Sequence, residues 1–207
     1  VQPHFVEEIL KKEKCDAIAL SFGGQTALNC GLALEQSGVL GRLGVRVLGT
    51  PVSAIRDTED RYLFVKRLSE IGIKTARARA VTNVLEAVEA ARNLGFPVMM
   101  RSGFSLGGKG SSIVYDEDEC RNVAEVAFAN VPQILVEECL KGWKELEYEV
   151  VRDSQDNCIT VCNMENFDPM GIHTGESIVV APSQTLDDYE YQMLRDIAIK
   201  SIRHLGI

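Results

Sequence analysis

An arginine followed by a glycine-rich stretch is the part of the sequence best suited to binding a phosphate group. Residues 97–101 (PVMMR) are apolar and end in Arg101, residues 102–110 (SGFSLGGKG) contain four glycines, and residues 111–115 (SSIVY) are rich in β-formers. Glycines let backbone N–H groups approach an anion closely, and arginine adds a fixed positive charge with bidentate geometry. The pattern predicts strand, tight loop, strand, with the loop covering the phosphates of a nucleotide; a glycine-rich surface turn is the alternative.

Three further positions could bind an anion or a base. Arg61 lies near the start of a predicted helix, where a cation opposes the helix dipole, so either a neighbouring aspartate or an anionic ligand holds it there. Residues 134–138 (ILVEE) predict a strand that ends on carboxylates, either at a solvated hairpin edge or beside an adenine pocket. His173, in a glycine-flanked loop, is either a structural hydrogen-bonding residue or lies close to a ligand.

The residues before the loop predict an α/β arrangement. The expected elements are helix 5–14, strand 16–22, a helix up to about residue 36, a turn at 38–44 and strand 45–49. Gly23 and Gly24 join the first strand to its helix, as in a parallel crossover. Because the G-x-G-x-x-G pattern of dinucleotide sites is incomplete, close packing of these glycines is the favoured interpretation.

The rest of the chain predicts mixed helices and strands around the glycine-rich loop. The expected elements are helix 62–71, strand 75–81, helix 83–94, the two strands that flank the loop, helix 116–130, strand 134–138, antiparallel strands 147–152 and 158–165, strand 177–182 and helix 189–205. Asn83 and Gly95 have the residue types that begin and end a helix.

The composition argues against several classes of protein. A formal net charge of −8, without a basic stripe, argues against a nucleic-acid binder. No apolar run reaches the length that spans a membrane. The six cysteines are scattered without a C-x-x-C motif, which favours reduced thiols over disulfides or a zinc site. The chain starts without Met and stops where a helix should lead into another strand, so we expect a piece of a longer polypeptide.

Several motifs together resemble the large chain of carbamoyl-phosphate synthase, in its amino-terminal ATP-grasp half. The matching motifs are 23–29 (GGQTALN), 59–61 (EDR), 142–145 (GWKE), 147–153 (EYEVVRD), 163–166 (NMEN), 171–175 (GIHTG) and 180–186 (VAPSQTL). The resemblance covers essentially the whole chain. The first motif and the NMEN and GIHTG motifs are similar to the half that makes carboxyphosphate, not to the half that phosphorylates carbamate.

The resemblance implies a fold that is α/β and α+β. Residues 1–52 would form a partial Rossmann-like pre-ATP-grasp domain, truncated at its start, and residues 53–207 an ATP-grasp domain, truncated before its metal-binding strands. The implied function is the ATP-dependent activation of bicarbonate to carboxyphosphate, as the first step of carbamoyl phosphate synthesis from bicarbonate, ammonia and two ATP. Both arginine and pyrimidine biosynthesis are compatible with it.

The resemblance also implies which residues bind ATP. The family's nucleotide contacts fall, by position, on Arg61 and Arg101 for the phosphates, Gly107 and Gly108 in the covering loop, Glu138 and Leu140 on the adenine side, Glu145 at the ribose, and Gly171, Ile172 and His173 on the opposite wall. Arg101 and His173 would be the catalytic residues. Lys109 departs from the small or apolar residues expected in the loop, either as a further phosphate contact or as an exposed lysine.

Further implications concern metal, partners and location. The full enzyme would use Mg²⁺ or Mn²⁺, but the family's metal-binding acid and amide fall beyond Ile207, so no metal ligand is expected in this chain and we predict that it cannot turn over alone. The implied partners are ATP, bicarbonate, a glutaminase subunit or domain and a second ATP-grasp half. The implied location is the cytoplasm, with the mitochondrion as the alternative; neither nucleic acid nor membrane is expected.

Two other interpretations were weighed against this one. An ATP-binding regulatory or docking module of the same superfamily would be expected to lose Arg61, Arg101 or the glycine-rich loop, and all three are present. A biotin carboxylase relative would be expected to have lysine where Arg101 ends its strand. Fold similarity alone would not separate these classes.

Overall fold

The computed structural model describes residues 1–102, 111–168, 170 and 177–207. These residues form two compact units. The first unit comprises Val1–Lys74, Glu147–Met164 and Ala181–Ile207, and the second comprises Thr75–Leu146 and Glu165–Val180.

The first unit begins with a small parallel α/β arrangement. Its elements are α1 (Pro3–Glu13), β1 (Ala17–Ala19), α2 (Gly24–Gln36), α3 (Val39–Leu43) and β2 (Arg46–Leu48). Strands β1 and β2 pair in parallel, with Ile18 opposite Val47, so α2 and α3 form the crossover between them. Leu10, Leu34 and Leu40 are among the buried residues that hold this layer together.

Helix α2 packs very closely against the residue that follows β1. Gly31 is buried in α2, and a Cβ atom built on it would lie 2.4 Å from Cδ1 of Leu20. Leu20 is itself only 2% exposed. The glycine is therefore required by the close approach of this helix.

Helices and one hairpin complete the first unit. They are α4 (Val52–Glu59), α5 (Arg61–Glu70), β7 (Leu146–Arg152), β8 (Cys158–Asn166) and α8 (Asp188–Leu205). The last two residues of β8, Glu165 and Asn166, belong to the second unit. Strands β7 and β8 are neighbours in one sheet. The Tyr148 hydroxyl donates to the Tyr191 carbonyl at 3.0 Å, and Lys200 Nζ donates to the Ile71 carbonyl at 2.6 Å. These bonds attach α8 to the hairpin and to the end of α5.

The second unit is built on a four-stranded antiparallel sheet. Its elements are β3 (Ala78–Val81), α6 (Val84–Leu94), β4 (Val98–Ser102), β5 (Ser111–Val114), α7 (Glu117–Phe128), β6 (Ile134–Glu138) and β9 (Val179–Val180). The strand order is β3-β6-β4-β5. Strand β9 pairs with the end of β8, with Asn166 opposite Val179.

One face of the four-stranded sheet is covered by α6 and α7. Val98, Met100 and Val136 from the strands are buried, each 2% exposed or less, together with Ala91 of α6 and Ala124 of α7. Side chains alternate between the two faces of a strand, so the odd-numbered residues of β4 and β6 point away from these helices.

Most predicted elements are confirmed, including the helix with Asn83 and Gly95 as its caps and the strand pair that flanks residues 103–110. The six cysteines are free thiols, as expected. The predicted turn at 38–44 is wrong, because Val39 and Leu40 enter the core and wind into α3 between two glycines of positive φ, Gly38 and Gly44.

Other predicted boundaries are also wrong. Strand 16–22 is confined to Ala17–Ala19, and strand 177–182 is confined to Val179–Val180. Helix α4 was not expected; it begins directly after its N-cap residue, Pro51. Across the described residues, the helices are too short or too polar to cross a bilayer.

Candidate active site

The face of the four-stranded sheet opposite α6 and α7 carries the arginine that the sequence singled out. Arg101 lies opposite Ser111 of β5 and Leu135 of β6, and Met99 lies opposite Ile113 and Glu137. Ala78 and Ala80 of β3 continue the same face, opposite Glu137 and Leu135. This face is therefore mainly small or apolar, with one arginine and one carboxylate, a surface suited to a flat base with a charged end.

Among the described residues, the partners of the Arg101 guanidinium lie at its Nε. Its Nε lies 3.1 Å from Met99 Sδ, to which it donates a hydrogen bond, and 3.1 Å from Glu137 Oε2, with which it forms an ion pair. The Arg101 side chain is 44% exposed, whereas that of Glu137 is 3% exposed. Arg101 thus combines an anchored Nε with a solvent-accessible position, as a residue that binds an anionic ligand requires.

Glu138, at the end of β6, is bound by an arginine that the sequence analysis did not single out. Arg77 Nη2 lies 3.2 Å from Glu138 Oε1, and the Arg77 main-chain N–H donates to Oε2 at 3.2 Å. The hydrogen bonds from Arg77 hold the pKa of the Glu138 carboxyl below its ordinary value. The Glu138 carboxylate is therefore bonded to Arg77, and the role of Glu138 on the adenine side stays a prediction.

The loop after β6 carries two further predicted residues. Leu140 accepts a hydrogen bond from Trp143 N at 3.0 Å, which closes a turn. Glu145 accepts one from Asn166 N at 3.0 Å through its carbonyl, so the loop is attached to the end of β8. Both side chains are half-buried. The structure therefore places Leu140 and Glu145 on one anchored loop that begins where β6 ends.

Met170 is attached to the same loop. Gly142 N donates to the Met170 carbonyl at 3.0 Å, and Met170 N donates to the Trp143 carbonyl at 2.8 Å. Because Met170 immediately precedes the predicted residues Gly171, Ile172 and His173, the chain reaches that stretch from beside the loop that holds Leu140 and Glu145. Gly171, Ile172 and His173 themselves lie outside the described residues, as do Gly107 and Gly108.

Arg61 lies in the first unit and is the first residue of α5. Asp60 precedes it as the N-cap and accepts a hydrogen bond from Leu63 N at 3.0 Å. Arg61 is exposed. Its predicted place near the start of a helix is confirmed, and its role in binding phosphate stays a prediction.

A metal site was tested against the same residues. Among the described positions, no three His, Cys, Asp or Glu side chains gather in a group that could hold a metal ion. Magnesium prefers carboxylate oxygens, phosphates and water. The described residues therefore offer no magnesium site built from protein side chains alone.

The sequence analysis missed two residues, Arg77 and Glu137. Arg77 precedes β3 in a stretch with no motif, so nothing local indicated its contact with Glu138. Glu137 was passed over because residues 134–138 were considered as an edge that ends on carboxylates. Because adjacent residues of a strand point to opposite faces of the sheet, the same five residues predict that Glu137 and Glu138 lie on opposite faces.

Two family models match the chain consecutively. The carbamoyl phosphate synthase preATP-grasp domain matches residues 1–57, and the carbamoyl-phosphate synthase L chain, ATP binding domain, matches residues 60–207. The chain belongs to the carbamoyl-phosphate synthase large-chain family. The family resemblance drawn from the sequence motifs is confirmed.

Relatives within this family match the chain from end to end. The mitochondrial arginine-specific large chain of carbamoyl phosphate synthase from Neurospora crassa is 57% identical over 207 residues, which is 100% of this chain and 18% of that protein. The multifunctional protein CAD of Squalus acanthias is 56% identical over 100% of this chain and 9% of that protein. The chain thus spans less than a fifth of the length of these carbamoyl-phosphate synthase relatives.

Solved structures place the fold among ATP-grasp proteins. The biotin carboxylase–β,γ-ATP complex of Campylobacter jejuni superposes with a TM-score of 0.75 at 19% identity, covering 99% of this chain and 46% of that one. The D-alanine–D-alanine ligase of Bacillus anthracis complexed with ATP gives a TM-score of 0.63 at 17% identity, covering 96% and 62%. These likenesses concern the fold, and they confirm the predicted mixed α/β class for this carbamoyl-phosphate synthase family member.

Proposed function

We propose that this chain is the nucleotide-binding part of a carbamoyl-phosphate synthase large chain and activates bicarbonate to carboxyphosphate with ATP. The observation that carries the proposal is the 57% identity to an arginine-specific large chain over all 207 residues. Residues 1–52 and 53–207 remain the proposed domains, and the two family models meet close to that boundary.

In this reaction an oxygen of bicarbonate attacks the γ-phosphorus of ATP. The bond between that phosphorus and the oxygen bridging it to the β-phosphate breaks, and ADP leaves. Phosphoryl transfer depends mainly on positioning and on neutralising charge. Arg101 serves this purpose from the face of the sheet opposite α6 and α7, where its side chain is 44% exposed and anchored at Nε. Arg61 is a second cation for the phosphates.

The base and ribose are bound near the end of β6. Leu140 contributes an apolar contact to adenine, and Glu145 accepts a hydrogen bond from the ribose. Since the carboxylate and the main-chain N–H of Glu138 are both bonded to Arg77, Glu138 acts on the base through its main-chain carbonyl. Backbone N–H and C=O groups are the usual partners of base edges in such pockets.

The remaining assigned residues belong to segments outside the described part of the chain. Gly107 and Gly108 cover the phosphates, and Gly171, Ile172 and His173 form the opposite wall, with His173 at the reacting groups. Metal ligands come from elsewhere in the longer polypeptide, since the relatives are more than five times as long as this chain. Magnesium or manganese bound there neutralises phosphate charge.

The partners are those of the whole enzyme. The bicarbonate-activating half works with a second ATP-grasp half and with a glutaminase subunit or domain that supplies ammonia. Relatives carry names from both arginine-specific synthases and the multifunctional CAD protein. The enzyme acts in the cytoplasm or in the mitochondrion, in arginine or pyrimidine biosynthesis.

Calorimetric titration with ATP tests where the nucleotide binds. Arg101→Ala should weaken ATP binding at least tenfold, because a charge-assisted contact to phosphate is lost. Arg79→Ala is the matched control: Arg79 lies in the same unit, but its ion pair is with Glu89 of α6, at 3.6 Å. Equal affinities for the Arg101 variant and the wild type would refute the assignment.

A second assay separates an enzyme from a regulatory module. In the full-length parent chain, Arg101→Ala should abolish bicarbonate-dependent release of ADP. The isolated 207-residue chain should release no ADP, because it spans less than a fifth of the length of its relatives. Bicarbonate-dependent ADP release by the isolated chain would contradict its proposed inactivity. Full activity of the parent with Arg101→Ala would favour a module that only binds ATP.

A further inference from the structure

Glu137 is a buried carboxylate beside Arg101 to which neither the motifs nor the family comparison assigns a role. Its side chain is 3% exposed, and Oε2 lies 3.1 Å from Arg101 Nε. The two residues lie on neighbouring strands: Arg101 is opposite Leu135, two positions before Glu137 in β6. The pair is therefore a diagonal contact across β4 and β6, on the face away from α6 and α7.

Glu137 contacts the Arg101 guanidinium at Nε, the nitrogen nearest the side-chain stem. An arginine has five N–H groups, one on Nε and four on the terminal nitrogens. Glu137 and Met99 both contact Nε. Within residues 1–102, 111–168, 170 and 177–207, the terminal nitrogens of Arg101 donate no hydrogen bond, and the shortest contact with Glu137 is at Nε. The anchored edge faces the sheet, and the edge that can bind phosphate in a bidentate manner is left accessible.

We propose that Glu137 is a positioning residue that holds Arg101 in the orientation for binding the nucleotide phosphates. The proposal rests on the function proposed above, since it requires Arg101 to bind phosphate. A long side chain loses rotamer freedom when it binds a ligand, and an arginine already fixed at Nε has less to lose. Glu137 is itself fixed, because it lies in the central strand and is buried.

The same carboxylate has an opposite electrostatic effect. Its negative charge offsets that of Arg101 and reduces the attraction for phosphate. The sign of the effect of removing it therefore distinguishes the two roles. If positioning dominates, Glu137→Gln weakens binding of phosphate-bearing nucleotides; if charge compensation dominates, the same substitution strengthens it.

A double-mutant cycle with two ligands tests the proposal. Calorimetry would measure ADP and adenosine binding to the wild type, Glu137→Gln, Arg101→Ala and the double variant. We expect Glu137→Gln to weaken ADP binding about tenfold, a coupling of about 1.4 kcal/mol, and to leave adenosine binding unchanged. In the Arg101→Ala background, Glu137→Gln should have no further effect on ADP. Glu137→Asp should recover part of the affinity.

A control variant distinguishes a general structural effect of losing a carboxylate from a specific effect on the orientation of Arg101. Glu89→Gln removes the carboxylate of the Arg79–Glu89 ion pair in the same unit and should change neither affinity. Equal losses for ADP and adenosine, additive losses in the double variant, or tighter ADP binding by Glu137→Gln would each overturn the proposal. If Arg101→Ala leaves ADP binding unchanged, or the wild type binds no ADP, the function proposed above fails first, and the role of Glu137 with it.

Discussion

Arg77 and Glu138 are joined through both their side chains and their main chains. The guanidinium and the main-chain N–H of Arg77 contact the Glu138 carboxylate, and Glu138 N donates to the Arg77 carbonyl at 2.8 Å. Arg77 Nη2 also donates to the Leu94 carbonyl at 3.1 Å, at the end of α6. The residue before β3 is thus attached to the end of β6 and to the helix that follows β3.

This relationship predicts a pH dependence. The hydrogen bonds from Arg77 lower the pKa of Glu138 in the folded chain. Because the pKa of Glu138 is lower in the folded chain than in the unfolded chain, where it is about 4.3, this group stabilises the fold at pH values above about 4.3. The stabilisation is lost as the pH falls through the pKa of the folded chain. Arg77→Ala should therefore raise the Glu138 pKa and reduce the acid sensitivity of unfolding that comes from this group.

Carboxyl-detected NMR titration would measure that pKa directly. Arg79→Ala is the control, because Arg79 is paired with Glu89 instead. A Glu138 pKa that does not move in Arg77→Ala would contradict the cause assigned to the shift.

A core valine of β6 should contribute far more stability than an exposed one. Val136 of β6 is fully buried against α6 and α7, whereas Val126 of α7 is 69% exposed. Val136→Ala should lower the free energy of unfolding by about 2 kcal/mol, from lost burial and a residual cavity. Val126→Ala should change it by less than about 0.5 kcal/mol. Urea unfolding of both variants measures this, and equal effects would refute the core assignment.

Two helical glycines should respond oppositely to alanine. Gly31→Ala places a methyl group 2.4 Å from a buried Leu20 methyl, whereas a Cβ at Gly41 in α3 meets nothing within 4 Å. Alanine improves helix propensity by about 0.8–1 kcal/mol at either position. We expect Gly41→Ala to stabilise the chain and Gly31→Ala to destabilise it by about 1–3 kcal/mol through overpacking. Thermal unfolding measures both, and a stabilised Gly31→Ala would show that α2 can move away.

The start of α8 depends on a reciprocal cap. The Asp187 carboxylate accepts from Glu190 N at 2.7 Å, and the Glu190 carboxylate accepts from Asp187 N at 3.1 Å. Asp187→Ala should cost about 1 kcal/mol of unfolding free energy. Asp188→Ala, one residue later in the first turn, loses only a dipole interaction and should cost less. Similar costs for both would mean that the cap contributes little.

Local patterns predicted the helices and strands whose signals lie close together in sequence. Helix α6 has Asn83 as its N-cap and Gly95 as its C-cap, and β6 runs over the five residues expected from their β-propensity. Helix α3 could not be predicted this way, since its five residues include Gly41 and depend on packing of Val39 and Leu40 in the core. Tertiary packing overrides weak local preference in such short segments.

The candidate site was predictable only in part. Arg101 was found because a charged residue ended an apolar strand before glycines. Its contact with Glu137 depends on the register of β4 against β6, which are separated in sequence by α7 and β5. The contact of Arg77 with Glu138 spans 61 positions. No spacing rule reaches across such distances, so these partners required the folded chain.

Strand β6 lies between β3 and β4, so both of its edges are paired. Amides in a central strand exchange with solvent last, because they open only when the whole cooperative unit opens. Glu137 and Glu138 are therefore placed on the slowest-exchanging backbone of their unit. The groups proposed to orient the phosphates and the base are therefore attached to backbone that local fluctuations disturb least.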